Sequence, residues 1–112
     1  MSKYYYDFER MDVYRLAVQV ARWFRTVDWA DQVSHKLRDN SIRAMDSVVM
    51  NVAEGRMRGG KAGRNHYRIA HGSAGEALAV LDLVDLPGGA EQQEALRRVG
   101  VMLSRMRGPV PG

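Results

Sequence analysis

Apolar residues recur at heptad spacing through most of this chain, and that spacing constrains the fold to helices packed on helices. From Tyr67 onward, Ala70, Ala74, Ala77, Leu81 and Val84 follow at steps of 3 and 4, so this segment must face a long helical partner. Val13, Leu16, Val20, Trp23 and Val27 repeat the pattern near the N-terminus. A second apolar stripe, Met11, Tyr14, Val18, Ala21 and Phe24, runs beside it, and Asp12, Arg15, Gln19, Arg22 and Thr26 form one narrow polar line. A helix on the outside of a small bundle needs only about 100° of apolar surface. The first helix has more, which predicts burial on one side in its own bundle and on another against a second subunit.

The spacing predicts helices over about 8–28, 31–55, 64–86 and 90–106, with a short arm over 1–7 and a tail over 108–112. Asp28 or Asp31 is placed to cap the second helix. Its apolar face is Val33, Leu37, Ala44, Val48 and Val52, and Gly55 is placed to end it as a C-terminal cap. Arg58 to Gly63, with three glycines, reads as a mobile loop. The third helix carries a run of small residues, Ala70, Gly72, Ser73, Ala74, Gly75 and Ala77. Two glycines inside a helix cost about 1 kcal/mol each relative to alanine, a cost that close approach of a neighbouring helix would offset. Pro87-Gly88-Gly89 stops the third helix. Leu96, Val99, Leu103 and Met106 then form the apolar face of the fourth, with Arg105 and Arg107 at its C-terminal end, where they suit the helix dipole. Short connections make consecutive helices antiparallel neighbours. The fold class is therefore all-α, an up-down-up-down antiparallel four-helix bundle in a single domain spanning 1–112.

Charge singles out one region. No acidic residue lies between Glu54 and Glu76, whereas Arg56, Arg58, Lys61, Arg64 and Arg68 do, giving +5 in that gap against +4 for the whole chain. Arginine and lysine mixed with glycine and followed by Tyr67 suit phosphate contact without base specificity. These five residues are the candidate RNA- or DNA-backbone contacts, and oligomerisation would strengthen them through effective concentration. A solvated basic turn with no ligand is the competing reading.

Other chemistry finds less support. Gly55-Arg-Met-Arg-Gly-Gly60-Lys61 has the spacing of a nucleotide-binding P-loop, but Ala62 stands where a Ser or Thr must hold magnesium, and a helix precedes it rather than a strand. His66 and His71 are five residues apart and do not share a helix face, and no Glu-x-x-His pair exists for a di-metal bundle. Glu54 and Glu76 lack an adjacent nucleophile and base. Arg64 or Arg68 is expected to neutralise them. No catalytic residue, metal or cofactor is expected. Ser47, Asn51 and Ser73 are read as buried hydrogen-bonding groups that fix helix register. The chain has no cysteine, no apolar run near the roughly 20 residues that cross a membrane, and no apolar signal core at its start. A cytoplasmic location without membrane contact is expected.

Ser47-Val-Val-Met-Asn51-Val-Ala-Glu54-Gly55, followed by Tyr67, Ile69-Ala70 and Gly72-Ser73-x-x-Glu76, resembles the four-helix-bundle family of 23S rRNA intervening-sequence proteins. Phe8-Glu-Arg-Met-Asp-Val-Tyr-Arg-Leu-Ala17 is similar to that family's opening, so the resemblance covers about Phe8 to Leu86. Val48 and Val52 replace the family's isoleucines, and Gly75 stands where a larger residue is usual. The resemblance implies a homopentameric barrel. The family includes the accessory variability determinants of diversity-generating retroelements, which bind a reverse transcriptase and its template RNA through a positive surface. It also implies that Asn51, Glu54, Gly55, Gly72, Ser73 and Glu76 define the fold, to which the helix-one seam adds Trp23 as an oligomer or fold residue. The resemblance does not fix the nucleic-acid contacts. The resulting expectation is a non-enzymatic homo-oligomeric adaptor for nucleic acid, with a reverse transcriptase as a further partner. The alternative is a purely structural oligomer.

Overall fold

A computed structural model describes residues 6–30 and 35–109. The expected arm residues Tyr4 and Tyr5, the candidate cap Asp31, Val33 and the end of the tail lie outside the described residues. Four helices form, α1 (Asp12–Thr26), α2 (His35–Arg58), α3 (Gly60–Leu83) and α4 (Gly89–Met106), with no strand among the described residues. Each helix packs on its chain neighbours, and α1 closes the ring on α4. Polar pairs fix the directions. Arg25 meets Asp46 near one end of the α1–α2 pair, and Arg56 meets Asp7 near the other. Gln93 donates to Asp82 at one end of the α3–α4 pair, and Arg68 to the Pro109 carbonyl at the other. Consecutive helices are thus antiparallel, and the fold is a four-helix bundle.

The core is built mainly from the expected faces: Val13, Val20, Ala21 and Phe24 of α1, Ala44, Met45, Val48 and Val52 of α2, Ala70, Ala74, Ala77 and Leu81 of α3, and Leu96, Val99 and Leu103 of α4. Helix one departs from both expected stripes, because Ala17 is buried between them while Leu16, Trp23 and Val27 are half-buried. It leaves no large apolar side chain exposed. A 3-10 turn (Asp7–Arg10) precedes α1 instead of a continuous helix from Phe8, closed by Tyr6 donating its N–H to Glu9 Oε2 at 3.0 Å. The turn sets the Phe8 ring edge-on to Tyr14, 4.9 Å between centroids. After α1, Trp29 folds back, its indole N–H donating to the Phe24 carbonyl at 2.9 Å with the two rings stacked 6.0 Å apart. Asp28 takes part in a turn, accepting from the Ala30 N–H at 3.0 Å, rather than capping a helix.

The largest departure lies at the α2–α3 connection. Gly55 does not end α2, which continues through Arg58. Gly59 alone separates it from α3, so the expected mobile loop is helical on both sides. Gly59 and Gly60 have φ of +66° and +57°, a left-handed backbone that glycine reaches without a Cβ clash. The buried Gly55 and Gly63, each four residues from Gly59, form the close approach of the two helices. A Cβ on Gly63 would collide with the Gly55 carbonyl oxygen, and one on Gly55 would lie 2.6 Å from the Tyr67 ring. By contrast, Gly72 and Gly75 are exposed with open space where a Cβ would be. Within the subunit, the glycine contact between α2 and α3 is thus made at Gly55 and Gly63 rather than at Gly72 and Gly75.

Helix three ends at Leu83 rather than Leu86, and Pro87 disfavours a helical conformation at Leu86 before it. Val84 is extended (φ −131°, ψ 145°), and the non-helical segment lets Leu86 drop into the core. No helix among the described residues is long and apolar enough to cross a membrane.

Candidate nucleic-acid interface

The five candidate cations divide by the partners they meet. Arg56 and Arg58 sit on the last turns of α2 and both meet acids. Arg56 reaches Asp7 Oδ2 through Nη2 at 2.6 Å and Nε at 3.1 Å, and this pairing holds the Asp7 carboxyl below its usual range. Arg58 reaches Glu54 Oε1 at 3.2 Å, one helical turn away. Arg58 is therefore the cation that meets Glu54, and Arg64 and Arg68, expected in that role, are not. The reason is register: one helical turn places Arg58 beside Glu54 on α2, while Arg64 and Arg68 point to the other side of α3.

Lys61, Arg64 and Arg68 follow at steps of 3 and 4 along the first three turns of α3, on the flank that faces the end of α4. Lys61 and Arg64 are exposed and form no ion pair among the described residues. Arg68 is half-buried, and its Nη2 donates to the Pro109 carbonyl at 3.4 Å. Arg107 joins this flank, its Nη1 donating to the Gly108 carbonyl at 3.0 Å. Sequence reasoning gave Arg107 only a role at a helix end. Antiparallel register was the signal, since it sets the end of α4 beside the start of α3.

The other face of the hairpin is organised by a polar chain. Ser73 Oγ lies 2.9 Å from Ser47 Oγ, and Asn51 Nδ2 donates to the Ser47 carbonyl at 2.9 Å and to its hydroxyl at 3.2 Å. Asn51 Oδ1 lies 2.8 Å from His66 Nδ1. These groups are half-buried and couple α2 to α3 at a fixed register, the role expected of Ser47, Asn51 and Ser73. Sequence spacing alone shows no such role for His66. That histidine stands opposite Asn51 because the two are seven and eight residues from Gly59. Among the described residues, no three His, Asp or Glu side chains gather into a metal-holding group.

Outside this chain of bonds lie exposed apolar residues, Met50 and Met57 on α2 and Ile69 and Leu83 on α3. Met50 and Met57 border a shallow groove of about 570 Å³ with Ser47, Asn51, Ala53 and Glu54. Glu76 lines a smaller one of about 260 Å³ with Asn40, Arg43, Ala44, Ser47 and Ser73. Trp23 is half-buried, edge-on to Phe24 with centroids 5.0 Å apart.

Tyr67 packs under the hairpin end, where burial pushes its phenol above its ordinary value of 10.0, partly countered by the nearby Arg56 charge. A raised folded-state value favours the protonated form in the fold. Tyr67 thus contributes stability that is present below about pH 10 and is lost as pH rises through its folded-state value. Tyr67→Phe should flatten the alkaline limb of a melting-temperature profile between pH 9 and 11, as followed by circular dichroism. An unchanged limb would show that another group governs alkaline unfolding.

Compared with models of known protein families, with curated proteins and with solved structures, the chain finds no match in any of the three.

Proposed function

We propose that this chain is a cytoplasmic, non-enzymatic, homo-oligomeric adaptor that binds the backbone of RNA or DNA through the basic flank of α3. The observation that carries the reading is the row Lys61, Arg64 and Arg68, which meets no acidic partner among the described residues and sits in a stretch without acids from Gly55 to Gly75. Cations already bonded to a carboxylate must give up that bond to meet a phosphate, whereas Lys61 and Arg64 need give up only water.

Self-association is supported by Met50, Met57, Ile69 and Leu83, exposed on the hairpin face turned away from the core. Met50 and Met57 border one groove, and exposed apolar side chains gathered in one place are a feature of protein contacts. Pentamer stoichiometry and a reverse transcriptase partner rest on the resemblance to 23S rRNA intervening-sequence proteins. A purely structural oligomer is the second reading, favoured by the ion pairs that already occupy Arg56 and Arg58.

Light scattering combined with nucleic-acid titration across a salt series separates the two readings. Affinity for a mixed RNA pool should fall steeply with salt. Lys61→Gln with Arg64→Gln should lower the slope of log affinity against log salt by about 0.7 per phosphate contact removed on a single strand. The pair Arg56→Gln with Arg58→Gln should change it less. No salt-dependent binding would leave the structural oligomer as the better account, and equal losses from both pairs would spread the contacts over the whole basic segment rather than the flank of α3.

A further inference from the structure

Three arginines converge where the first turns of α3 meet the end of α4. Arg68 donates from Nη2 to the Pro109 carbonyl, and Arg107 from Nη1 to the Gly108 carbonyl. The Arg64 side chain closes the third side, its Cδ 3.5 Å from where a Cβ on Gly108 would lie. All three thus meet at two consecutive residues, and none forms an ion pair among the described residues. The Nε atoms of both Arg68 and Arg107 are buried and have no hydrogen-bond acceptor.

A buried N–H without an acceptor is costly, more so on a charged group. Two such donors on side chains that bond adjacent carbonyls, with the Arg64 side chain against the same Gly108, leave three positive charges with no ion pair among the described residues. Arg25, Arg38, Arg56 and Arg58 each meet a carboxylate, and what sets Arg68 and Arg107 apart is the buried Nε left without an acceptor. A phosphate supplies what this cluster lacks, because its oxygens accept from several N–H donors at once and its charge opposes theirs. Guanidinium groups suit that geometry through paired donors on one edge.

We infer that Arg64, Arg68 and Arg107 form a binding site for a phosphate group at the α3–α4 junction. The source of the phosphate rests on the nucleic-acid reading above, which did not include Arg107. The anion chemistry stands without it. An internal phosphodiester and a terminal phosphomonoester both present non-bridging oxygens to the site, the monoester one more and a greater charge.

The test is side-chain NMR of the arginine Nε–Hε signals, assigned through Arg68→Gln and Arg107→Gln, on the full chain at constant ionic strength. Inorganic phosphate should move the Arg68 and Arg107 signals together and saturably, while chloride leaves them in place. Arg107→Gln should weaken phosphate binding at least tenfold. Arg107→Lys keeps the charge but removes the fork, and it should also weaken binding with helical content unchanged by circular dichroism. Signals that ignore phosphate, or that respond equally to chloride, overturn the site, as does wild-type affinity in Arg107→Lys. Oligonucleotides with and without a 5′-phosphate identify the source: a response confined to the former assigns a chain end, and equal responses assign the internal backbone. RNA binding that persists without any phosphate response sinks this site alone. A phosphate response without RNA binding sinks the adaptor reading alone.

Discussion

Phe24→Ala is expected to destabilise the bundle by about 4 kcal/mol, the central figure for removing a buried phenylalanine ring. Phe24 is fully buried, stands edge-on to Trp23 and stacks on Trp29. Its ring is thus the floor on which the connection after α1 is laid. The Trp29 N–H is held by the Phe24 backbone carbonyl, a bond the substitution leaves chemically possible but without the ring contact that positions it. A domain of this size has roughly 5–15 kcal/mol of total stability, so a loss of this magnitude leaves a marginal fold. Urea unfolding followed by tryptophan fluorescence should show a much lower midpoint with a similar slope. A loss under about 1 kcal/mol would mean that the site collapses around the cavity and that Phe24 is not central.

Gly63→Ala and Gly75→Ala should change stability in opposite directions, although both place alanine inside the same helix. Helix propensity alone favours each by about 1 kcal/mol. At Gly63 the new methyl group meets the Gly55 carbonyl oxygen. Backbone cannot swing aside as a side chain can, so α2 and α3 must separate, and overpacking of this kind costs about 1–3 kcal/mol. Separation also strains the Ser47–Ser73 and Asn51–His66 bonds that depend on the same spacing. The expected net result is destabilisation of about 1 kcal/mol at Gly63. At Gly75 the methyl meets none of the described residues, and the substitution should stabilise the isolated subunit by about 0.5–1 kcal/mol. Chemical unfolding of both variants decides the matter. If both stabilise, the hairpin end is looser than its geometry implies. If Gly75→Ala instead disrupts self-association while the monomer gains stability, the exposed glycine serves contact with a second copy.

Helix one shows how far periodicity carries. Its polar line of Asp12, Arg15, Gln19, Arg22 and Thr26 is exposed as the spacing predicts, because a 3.6-residue repeat fixes which side chains share a face. The surplus apolar surface on the same helix pointed to a second subunit. The chain covers part of it with its own Phe8 turn, α2 and α4, while the exposed large apolar residues are Met50, Met57, Ile69 and Leu83 on the hairpin, Tyr6 before the first turn and Val101 on α4. Periodicity ranks the faces of a helix but does not say what lies against each one.

The basic segment divides the same way. Composition located the acid-free stretch from Gly55 to Gly75. It did not foresee that Arg56 and Arg58 meet Asp7 and Glu54, or that Arg107 arrives beside Arg64 and Arg68. Asp7 and Arg56 are 49 residues apart, and Arg68 and Pro109 are 41 apart. Such distant pairs exist only once the helices have a register.

Four amphipathic segments, their order and most of the core positions are local properties of the chain, set by side-chain period and by stop signals such as Pro87. The place of the α2–α3 turn was not local. Gly55, Gly59, Gly60 and Gly63 all permit a break, and the choice among them rests on packing. A turn at Gly59 brings Gly55 against Gly63, where the absence of two side chains lets the helices touch, and sets Asn51 opposite His66. Propensity is a sum over neighbours in sequence, whereas contact depends on neighbours in space, and at this hairpin the second outweighed the first.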